Sequence, residues 1–159
     1  MSEPFGVDIP PPVPAGADRD GERRGMGITS LAFKVTARET DGRLFLMEQT
    51  SHAPGGPPRH LHLEQEEWFY AVEGEFLVEV GRRSHRLAAG DSLLAPRGVP
   101  HAWTFVGGGV GRLLIGFSPA GSIEAFFRLV GATGSMPPED PDLWLAHGMH
   151  LVGPPLMVD

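Results

Sequence analysis

The sequence predicts an all-β protein, a closed antiparallel barrel or sandwich of some nine to eleven strands followed by two small helices. From residue 28 onward, short apolar runs alternate with turn-forming residues about every 8–12 residues, which is typical of many short strands. Glycine and proline account for 22 and 16 of the 159 residues, so turns are frequent and long helices cannot dominate. A chain of this length is expected to form one domain with a buried core.

Each predicted strand is bounded by a turn or a rigid loop. Asp41-Gly42 is a hairpin-type dipeptide after the first strand. Residues 53–59 (APGGPPR) form a stiff loop before the third strand, and residues 96–100 (PRGVP) form a tight bend before the eighth. The nine predicted strands cover residues 28–36, 43–49, 60–62, 67–72, 76–80, 84–87, 92–95, 101–105 and 112–117.

Residues 119–159 are predicted to form a C-terminal helical segment that packs on the barrel. Ser122 can cap a first helix, and Gly131 ends it. Between them an apolar stripe has helical spacing, formed by Ile123, Phe126, Phe127 and Val130. A second short helix is expected after Asp140, which can cap it, with a proline in its first turn and Gly148 at its end.

Residues 1–25 are predicted to be a proline-rich N-terminal arm, and residues 26–118 to be the barrel core. The arm is too polar and too rich in proline to pack by itself. We expect it to lie on a partner subunit in a homodimer, because it has little to pack on within one barrel and edge strands need cover.

Composition excludes several classes of function. The chain has no cysteine, so disulfides, thiolate metal sites, iron–sulfur ligation and a cysteine nucleophile are excluded. With 13 basic and 20 acidic residues the net charge is −7, which disfavours binding to nucleic acid or to an anionic membrane. No apolar stretch approaches the roughly 18 residues of a membrane helix, and we see no signal peptide. We therefore expect a soluble, cytoplasmic protein.

Four residues stand out as candidate metal ligands: His60, His62, Glu67 and His101. Residues i and i+2 of a strand point to the same face, so the first two imidazoles can converge on one ion. A short loop lets the carboxylate reach the same side, and the rigid bend at residues 96–100 lets His101 arrive from a facing strand. Three neutral imidazoles and one carboxylate suit a divalent metal, and a six-coordinate ion would keep two positions open.

Residues 55–105 resemble the two signature motifs of the cupin superfamily. The first motif, G(X)5HXH(X)3–4E(X)6G, is matched from Gly55 through the two histidines and Glu67 to Gly74, with the leading glycine one position too close. The second motif, G(X)5PXG(X)2H(X)3N, is matched from Gly90 to His101. Its last position is Phe105 instead of asparagine, which puts the polar contact of that position in doubt.

The resemblance implies a small cupin barrel, also called a jelly roll or double-stranded β-helix, with a metal held by His60, His62, Glu67 and His101. Glu66 is a competing carboxylate, because it satisfies the three-residue option of the first motif but leaves seven residues before the closing glycine. Strand alternation points adjacent residues to opposite faces, and we favour Glu67.

The same alternation predicts which side chains line the barrel interior. If Glu67 and His101 point inward, so do the residues two and four positions further along their strands. On the second strand either residues 45, 47 and 49 or residues 44, 46 and 48 face inward, and we prefer the first set. The resulting substrate pocket consists of Phe45, Met47, Gln49, Phe69, Trp103 and Phe105. The alternative is that these are plain core residues, since small barrels are filled by side chains.

A metal-dependent dioxygenase acting on a small aromatic or enolic substrate is the favoured hypothesis. The chain looks similar to quercetinase-like single-domain cupins, which cleave flavonols with dioxygen, and Glu67 could accept the proton of a bound hydroxyl. The metal could be iron, manganese, nickel, cobalt, copper or zinc. A non-catalytic, metal-anchored binding barrel and a metal-assisted isomerase or lyase are the alternatives.

Overall fold

Two antiparallel sheets form the framework of the computed structural model, which describes residues 6–158. Within these residues there are eleven strands. They are β1 (Arg24–Met26), β2 (Thr29–Val35), β3 (Phe45–Ser51), β4 (Pro58–His62), β5 (Glu66–Glu73), β6 (Phe76–Val80), β7 (Arg83–Leu87), β8 (Ser92–Ala95), β9 (His101–Phe105), β10 (Gly111–Ser118) and β11 (Met149–Pro155). One sheet has the order β1-β2-β3-β10-β5-β8, and the other has the order β11-β4-β9-β6-β7.

The core lies between the two sheets, and alternation of buried and half-exposed residues is clearest along β3 and β4. Residues 45, 47, 49 and 51 of β3 are buried, whereas the residues between them are half-exposed. Strands β2 and β4 begin with the same alternation. The predicted all-β jelly-roll barrel is therefore confirmed, and so is the inward face assigned to β3. The core is rich in aromatic side chains, among them Phe33, Phe45, Phe69, Phe76, Phe105 and Phe117.

All nine predicted strands are present, three of them (β6, β8 and β9) with the predicted bounds. Strand β11 was not predicted, because its residues 153–155 read Gly-Pro-Pro and proline removes the hydrogen-bond donor that a central strand needs. This strand lies at the edge of its sheet, and its pairing with β4 is irregular at Gly153. Strand β1 and a short 3-10 helix (Ala37–Thr40) were also not predicted from the sequence.

Two helices follow β10, as predicted: α1 (Ile123–Gly131) and α2 (Pro141–Leu145). Every residue of the predicted apolar stripe of α1 is buried. The side chain of Asp140 caps α2 by accepting a hydrogen bond from the Asp142 amide at 3.0 Å. Neither helix of residues 6–158 is long and apolar enough to span a membrane.

Part of the N-terminal segment, which was predicted to be an arm lying on a partner subunit, packs on its own barrel. Strand β1 begins at Arg24, two residues before the predicted start of the barrel core, and Asp18 is buried against β2, where its carboxylate accepts a hydrogen bond from the Phe33 amide at 2.7 Å. Residues 18–26 thus pack on their own barrel. Residues 1–5 of the predicted arm lie outside the described residues. The homodimer stays a prediction.

Candidate metal centre

The four predicted ligands come together inside the barrel. Their ligand atoms all lie within 4.8 Å of one another, and all four side chains are buried. His60 and His62 are on β4, and His101 is on β9 of the same sheet, where it pairs directly with His60. Glu67 is on β5 of the other sheet. One sheet thus supplies three imidazoles, and the facing sheet supplies the carboxylate.

Local backbone features place these ligands. The two histidines of β4 share a face because they are two residues apart. The predicted bend at residues 96–100 is held against the end of β4 by a hydrogen bond from the Gly98 amide to the His62 carbonyl at 2.7 Å. Because β9 begins directly after this bend, His101 enters the barrel beside His60.

Each imidazole is oriented by a hydrogen bond from its Nδ1 atom. His60 donates to the Pro58 carbonyl at 2.8 Å, and His101 donates to the Val99 carbonyl at 3.1 Å. Because carbonyl oxygens only accept, the proton of a neutral ring lies on Nδ1 and the lone pair lies on Nε2. That pattern is typical of histidines that bind a metal through Nε2.

Gln65 orients the third imidazole, and sequence reasoning did not identify it. Its amide nitrogen donates to the Pro119 carbonyl at 3.0 Å and to the Ala120 carbonyl, so its oxygen must face His62. His62 Nδ1 donates to that oxygen at 3.2 Å. Gln65 is itself buried. Its position in the loop between two ligands was the only sequence signal, and nothing there revealed the carbonyls contributed by residues 119–120.

We predict that Gln65→Leu lowers the affinity for a divalent metal about 10- to 100-fold, the usual cost of losing the group that orients a ligand. The leucine cannot accept the His62 Nδ1 proton, so the ring is free to turn. Titration of the metal-free protein with Zn²⁺ against a chromophoric chelator measures the change. Glu64→Gln, an exposed position in the same loop, is the matched control. Equal affinities in the Gln65 and Glu64 variants would contradict the prediction.

The electrostatics of the centre suit a divalent cation. Glu67 Oε2 lies 2.5 Å from His101 Nε2 and 2.9 Å from His62 Nε2. Burial disfavours a charged carboxylate, but the two imidazoles outweigh it and hold the pKa of Glu67 well below its usual range. Burial, with the neighbouring His101, lowers the pKa of His60 to about 3. Burial opposes protonation of His101 as well, but Glu67 raises the pKa of this imidazole above its ordinary value.

His62 Nε2 shows most directly that the residues fit a metal. It is buried and lies close to Glu67, yet it has no hydrogen bond of acceptable geometry within residues 6–158. A buried polar atom without a partner is costly in a folded protein, and an ion at the point where the ligands meet would satisfy it. Three neutral imidazoles and one carboxylate carry a single negative charge, which complements a dication.

A cavity of about 240 Å³ opens from the metal centre, and His60, His62 and Glu67 form one end of its wall. Its walls are mostly apolar and include five aromatic side chains: Trp103, Phe117, Phe126, Phe127 and Trp144. Trp144 is contributed by α2, and its ring centroid lies 5.1 Å from that of His60. The C-terminal helices therefore help to enclose the cavity as well as pack on the barrel, which the apolar stripe alone did not reveal.

Two of the six predicted pocket residues, Gln49 and Trp103, line this cavity. Phe45, Met47, Phe69 and Phe105 point inward as predicted, but they are fully buried and lie outside the cavity wall. All four are members of the hydrophobic core cluster. Phe45, for example, packs on Phe33 and Phe117 with ring centroids 4.9 and 5.9 Å away. A small barrel is mostly filled by its own side chains, so an inward direction does not guarantee contact with a cavity.

The two glycines before the histidines fit the loop closely against β9. Gly55 pairs with Phe105 through backbone hydrogen bonds of 3.0 and 3.3 Å. A Cβ atom on Gly56 would lie 1.8 Å from the Trp103 carbonyl oxygen, so only glycine allows the loop to pass there. This contact brings the loop, including Gly56 and Pro57, into the cavity wall beside Trp103.

Comparisons with known proteins agree with this architecture. Residues 47–117, which include all four ligands, match a family model described as a cupin domain. The chain is 30% identical over 113 residues to Protein SchB of Streptomyces halstedii, covering 70% of this chain and 73% of that protein. Two solved structures have the same fold. An RmlC-like cupin from Shewanella frigidimarina has a TM-score of 0.52 and 28% identity, over 62% of this chain and 84% of that chain. KdgF from Halomonas sp. has a TM-score of 0.54 and 20% identity, over 63% of this chain and 87% of that chain.

Proposed function

The chain belongs to the cupin superfamily, and from that premise we propose that it is a metal-dependent dioxygenase acting on a small aromatic or enolic substrate. The observation that carries this proposal is the position of a three-histidine, one-glutamate cluster at one end of a cavity with aromatic walls. Such a cavity holds a flat apolar body, and the ligand cluster supplies a polar anchor.

The composition and size of the cavity support this substrate class. No lysine or arginine occurs among the cavity-lining residues of the described chain, so the wall offers no fixed cation for a phosphate or carboxylate. This argues against the isomerase or lyase alternative on sugars and small acids. The volume of about 240 Å³ lies just below the ~300–1,000 Å³ range of sites for drug-sized ligands. Compounds of one or two rings fit this volume better than a three-ring flavonol.

His60, His62, Glu67 and His101 would hold the metal, for which iron, manganese, nickel, cobalt, copper and zinc are candidates. When bound, such an ion supplies Lewis acidity, which lowers the pKa of a coordinated hydroxyl group. Glu67 is the one carboxylate of the described cavity wall that is buried, since Glu139 lies exposed at the mouth. We assign Glu67 the role of accepting the substrate hydroxyl proton while Trp103, Phe117 and Trp144 orient the ring and exclude water.

We predict metal-dependent oxygen uptake in the presence of a suitable aromatic substrate. The panel pairs the protein, loaded in turn with each of the six metals, with flavonols, catechols and naphthols. Glu67→Gln is expected to lower kcat by about 10²- to 10⁴-fold per bound metal, since it removes the proton acceptor. Metal content is measured alongside, because Glu67 is also a ligand. Glu66→Gln is the matched control, because that carboxylate lies outside the cluster in an ion pair with Arg97.

The outcomes separate the remaining hypotheses. Oxygen uptake with at least one metal and one substrate supports a dioxygenase. Tight retention of a panel compound without turnover would instead identify the non-catalytic, metal-anchored binding barrel. This second candidate is favoured by one observation: the buried carboxylate of the site belongs to the metal cluster. If no pairing gives either oxygen uptake or retention of the compound, the proposed substrate class is refuted.

A further inference from the structure

The side chain of Gln49 is a buried amide that no other residue satisfies. It is only 4% exposed, no side-chain hydrogen bond within residues 6–158 involves its nitrogen or oxygen, and these two atoms are not fully enclosed. Its side chain lines the cavity that contains the candidate metal centre. An amide has two donors and an acceptor with two lone pairs, so this residue faces the cavity with its full hydrogen-bonding capacity free.

Thr29 is the other uncharged hydroxyl or amide side chain of the described cavity wall, and it is already satisfied, because its hydroxyl donates to the Met26 carbonyl at 3.1 Å. In the part of the chain that the structure describes, the two fully buried side-chain atoms without a partner are His62 Nε2, which belongs to the ligand cluster, and Ser51 Oγ, which lies outside the cavity wall. Gln65 uses its amide for His62 and two backbone carbonyls. Buried polar groups in native proteins are normally paired, and the exceptions concentrate at functional sites. The free amide of Gln49 therefore indicates a ligand that completes it.

The strand register places Gln49 far from the metal ligands. On β10, Phe117 pairs with Phe45 of β3 on one side and with Glu67 of β5 on the other. Phe45 is therefore the residue of β3 that lies level with Glu67. Gln49 is four residues further along β3, or roughly 13 Å at the usual rise of a strand. On the opposite sheet, Trp103 lies two residues after His101 on β9 and is the next residue on the same face of that strand. The cavity thus has the metal ligands toward one end, an aromatic wall between, and the free amide toward the other end.

We propose that Gln49 is a second substrate anchor, a binding residue that hydrogen-bonds an oxygen at the end of the substrate remote from the metal. This inference rests on the proposed function and narrows its substrate class to aromatic compounds with two oxygen functions at opposite ends of an apolar ring system. One oxygen faces the ligand cluster, and the other, a hydroxyl or a carbonyl, faces the amide. A substrate with only one oxygen leaves the amide unpaired and binds less tightly.

The experiment measures binding with a matched pair of probes, 2-naphthol and naphthalene-2,6-diol, by titration calorimetry. The zinc-loaded and metal-free forms of the full chain are both titrated in the absence of dioxygen, so that the probes bind without being oxidised. We expect the wild type to prefer the diol by about tenfold, the usual effect of one hydrogen bond. Gln49→Leu, which keeps the size of the side chain and removes its amide, should abolish this preference. Met47→Leu, an inward-facing residue of the same strand outside the cavity wall, is the control and should retain it.

Thermal unfolding without ligand provides a second readout. If the Gln49 amide serves to bind a ligand, Gln49→Leu removes an amide that has no hydrogen-bond partner in the ligand-free protein. The melting temperature should then rise by about 2–4 °C. If the amide supports the fold, the same change should lower it. Equal binding of the two probes to the wild type, absence of binding for both, or a diol preference retained in Gln49→Leu would each overturn the inference. None of these results depends on oxygen uptake, so failure of the dioxygenase proposal would be recognised separately.

Discussion

The His62→Ala variant is expected to bind a divalent metal at least about 100-fold more weakly than the wild type. Loss of a group that merely orients a ligand costs 10- to 100-fold, so loss of the ligand itself should cost no less. His62 is the most informative ligand to replace, because its Nε2 atom is buried without a hydrogen bond and faces the centre of the cluster. Elemental analysis of the purified protein and competition with a chelator measure the effect.

His150→Ala is the matched control for this experiment. His150 lies on β11 directly opposite Leu61, the residue between the two histidines of β4, but its side chain is exposed. The control should keep its metal content and affinity. Circular dichroism of the two metal-free variants checks that both are folded. A His62 variant that retains the wild-type metal content would show that the cluster does not bind the ion.

The ligand cluster was predictable because it depends on short-range rules. Two residues separated by one position in a strand share a face, and the same alternation allows only one of Glu66 and Glu67 to point inward. The motif resemblance favoured Glu67, because Glu66 leaves seven residues before Gly74. The structure places Glu67 in the cluster and turns Glu66 outward to an ion pair with Arg97. His101 required a long-range step, which the bend at residues 96–100 and the motif resemblance supplied. The facing strand expected for it was wrong, because β9 lies beside β4 in the same sheet.

The extent of the cavity was not predictable in the same way. Alternation tells which face of a strand a residue occupies, but not how deep it lies or what stands in front of it. Phe69 and Trp103 both point inward, yet only Trp103 reaches the cavity. The stripe containing Phe126 predicted burial of a helix face without naming the surface it covers. Contacts between elements that are distant in the chain decide these points.

The packed part of the N-terminal segment was missed for a related reason. In sequence, Asp18 belongs to a charged run in a proline-rich stretch, and such runs are usually solvated. Its partners are the guanidinium of Arg24, at 3.0 Å, and the backbone amide of Phe33, fifteen positions along the chain. Backbone amides carry no sequence signal, so the burial of this carboxylate became visible only in three dimensions.

Replacing Asp18 by asparagine should lower the free energy of unfolding by about 3–5 kcal/mol, the usual cost of removing one partner of a buried ion pair. The carboxylate accepts hydrogen bonds from Arg24 and from the amides of Phe33 and Asp20. Asparagine would leave the partly exposed Asp20 carboxylate as the remaining acidic partner of the buried guanidinium and would turn an NH₂ group toward other donors. For a chain of this size the melting temperature should fall by roughly 6–20 °C.

Asp20→Asn is the control that separates burial from charge. Asp20 also contacts Arg24, at 3.0 Å, and Arg128, at 2.9 Å, but its side chain is 36% exposed. An ion pair at such a position contributes about 0–1 kcal/mol. The Asp20 variant should therefore unfold close to the wild type. Equal destabilisation by the two variants would mean that the segment is held by net charge and not by the buried carboxylate.

The dependence of this effect on pH follows from the lowered pKa of Asp18. Burial alone would raise the pKa, but the hydrogen bonds from Arg24 and from the Phe33 and Asp20 amides outweigh it and hold the pKa below its ordinary value. A carboxyl group with a lowered folded-state pKa stabilises the fold fully above its unfolded pKa, about 3.9, and loses that contribution as the pH falls through the folded value. The stability gap between wild type and Asp18→Asn should be constant from about pH 5 to 8 and should shrink below about pH 4. Denaturant unfolding across this range measures it, and a gap that shrinks near neutral pH would show that another group controls the segment.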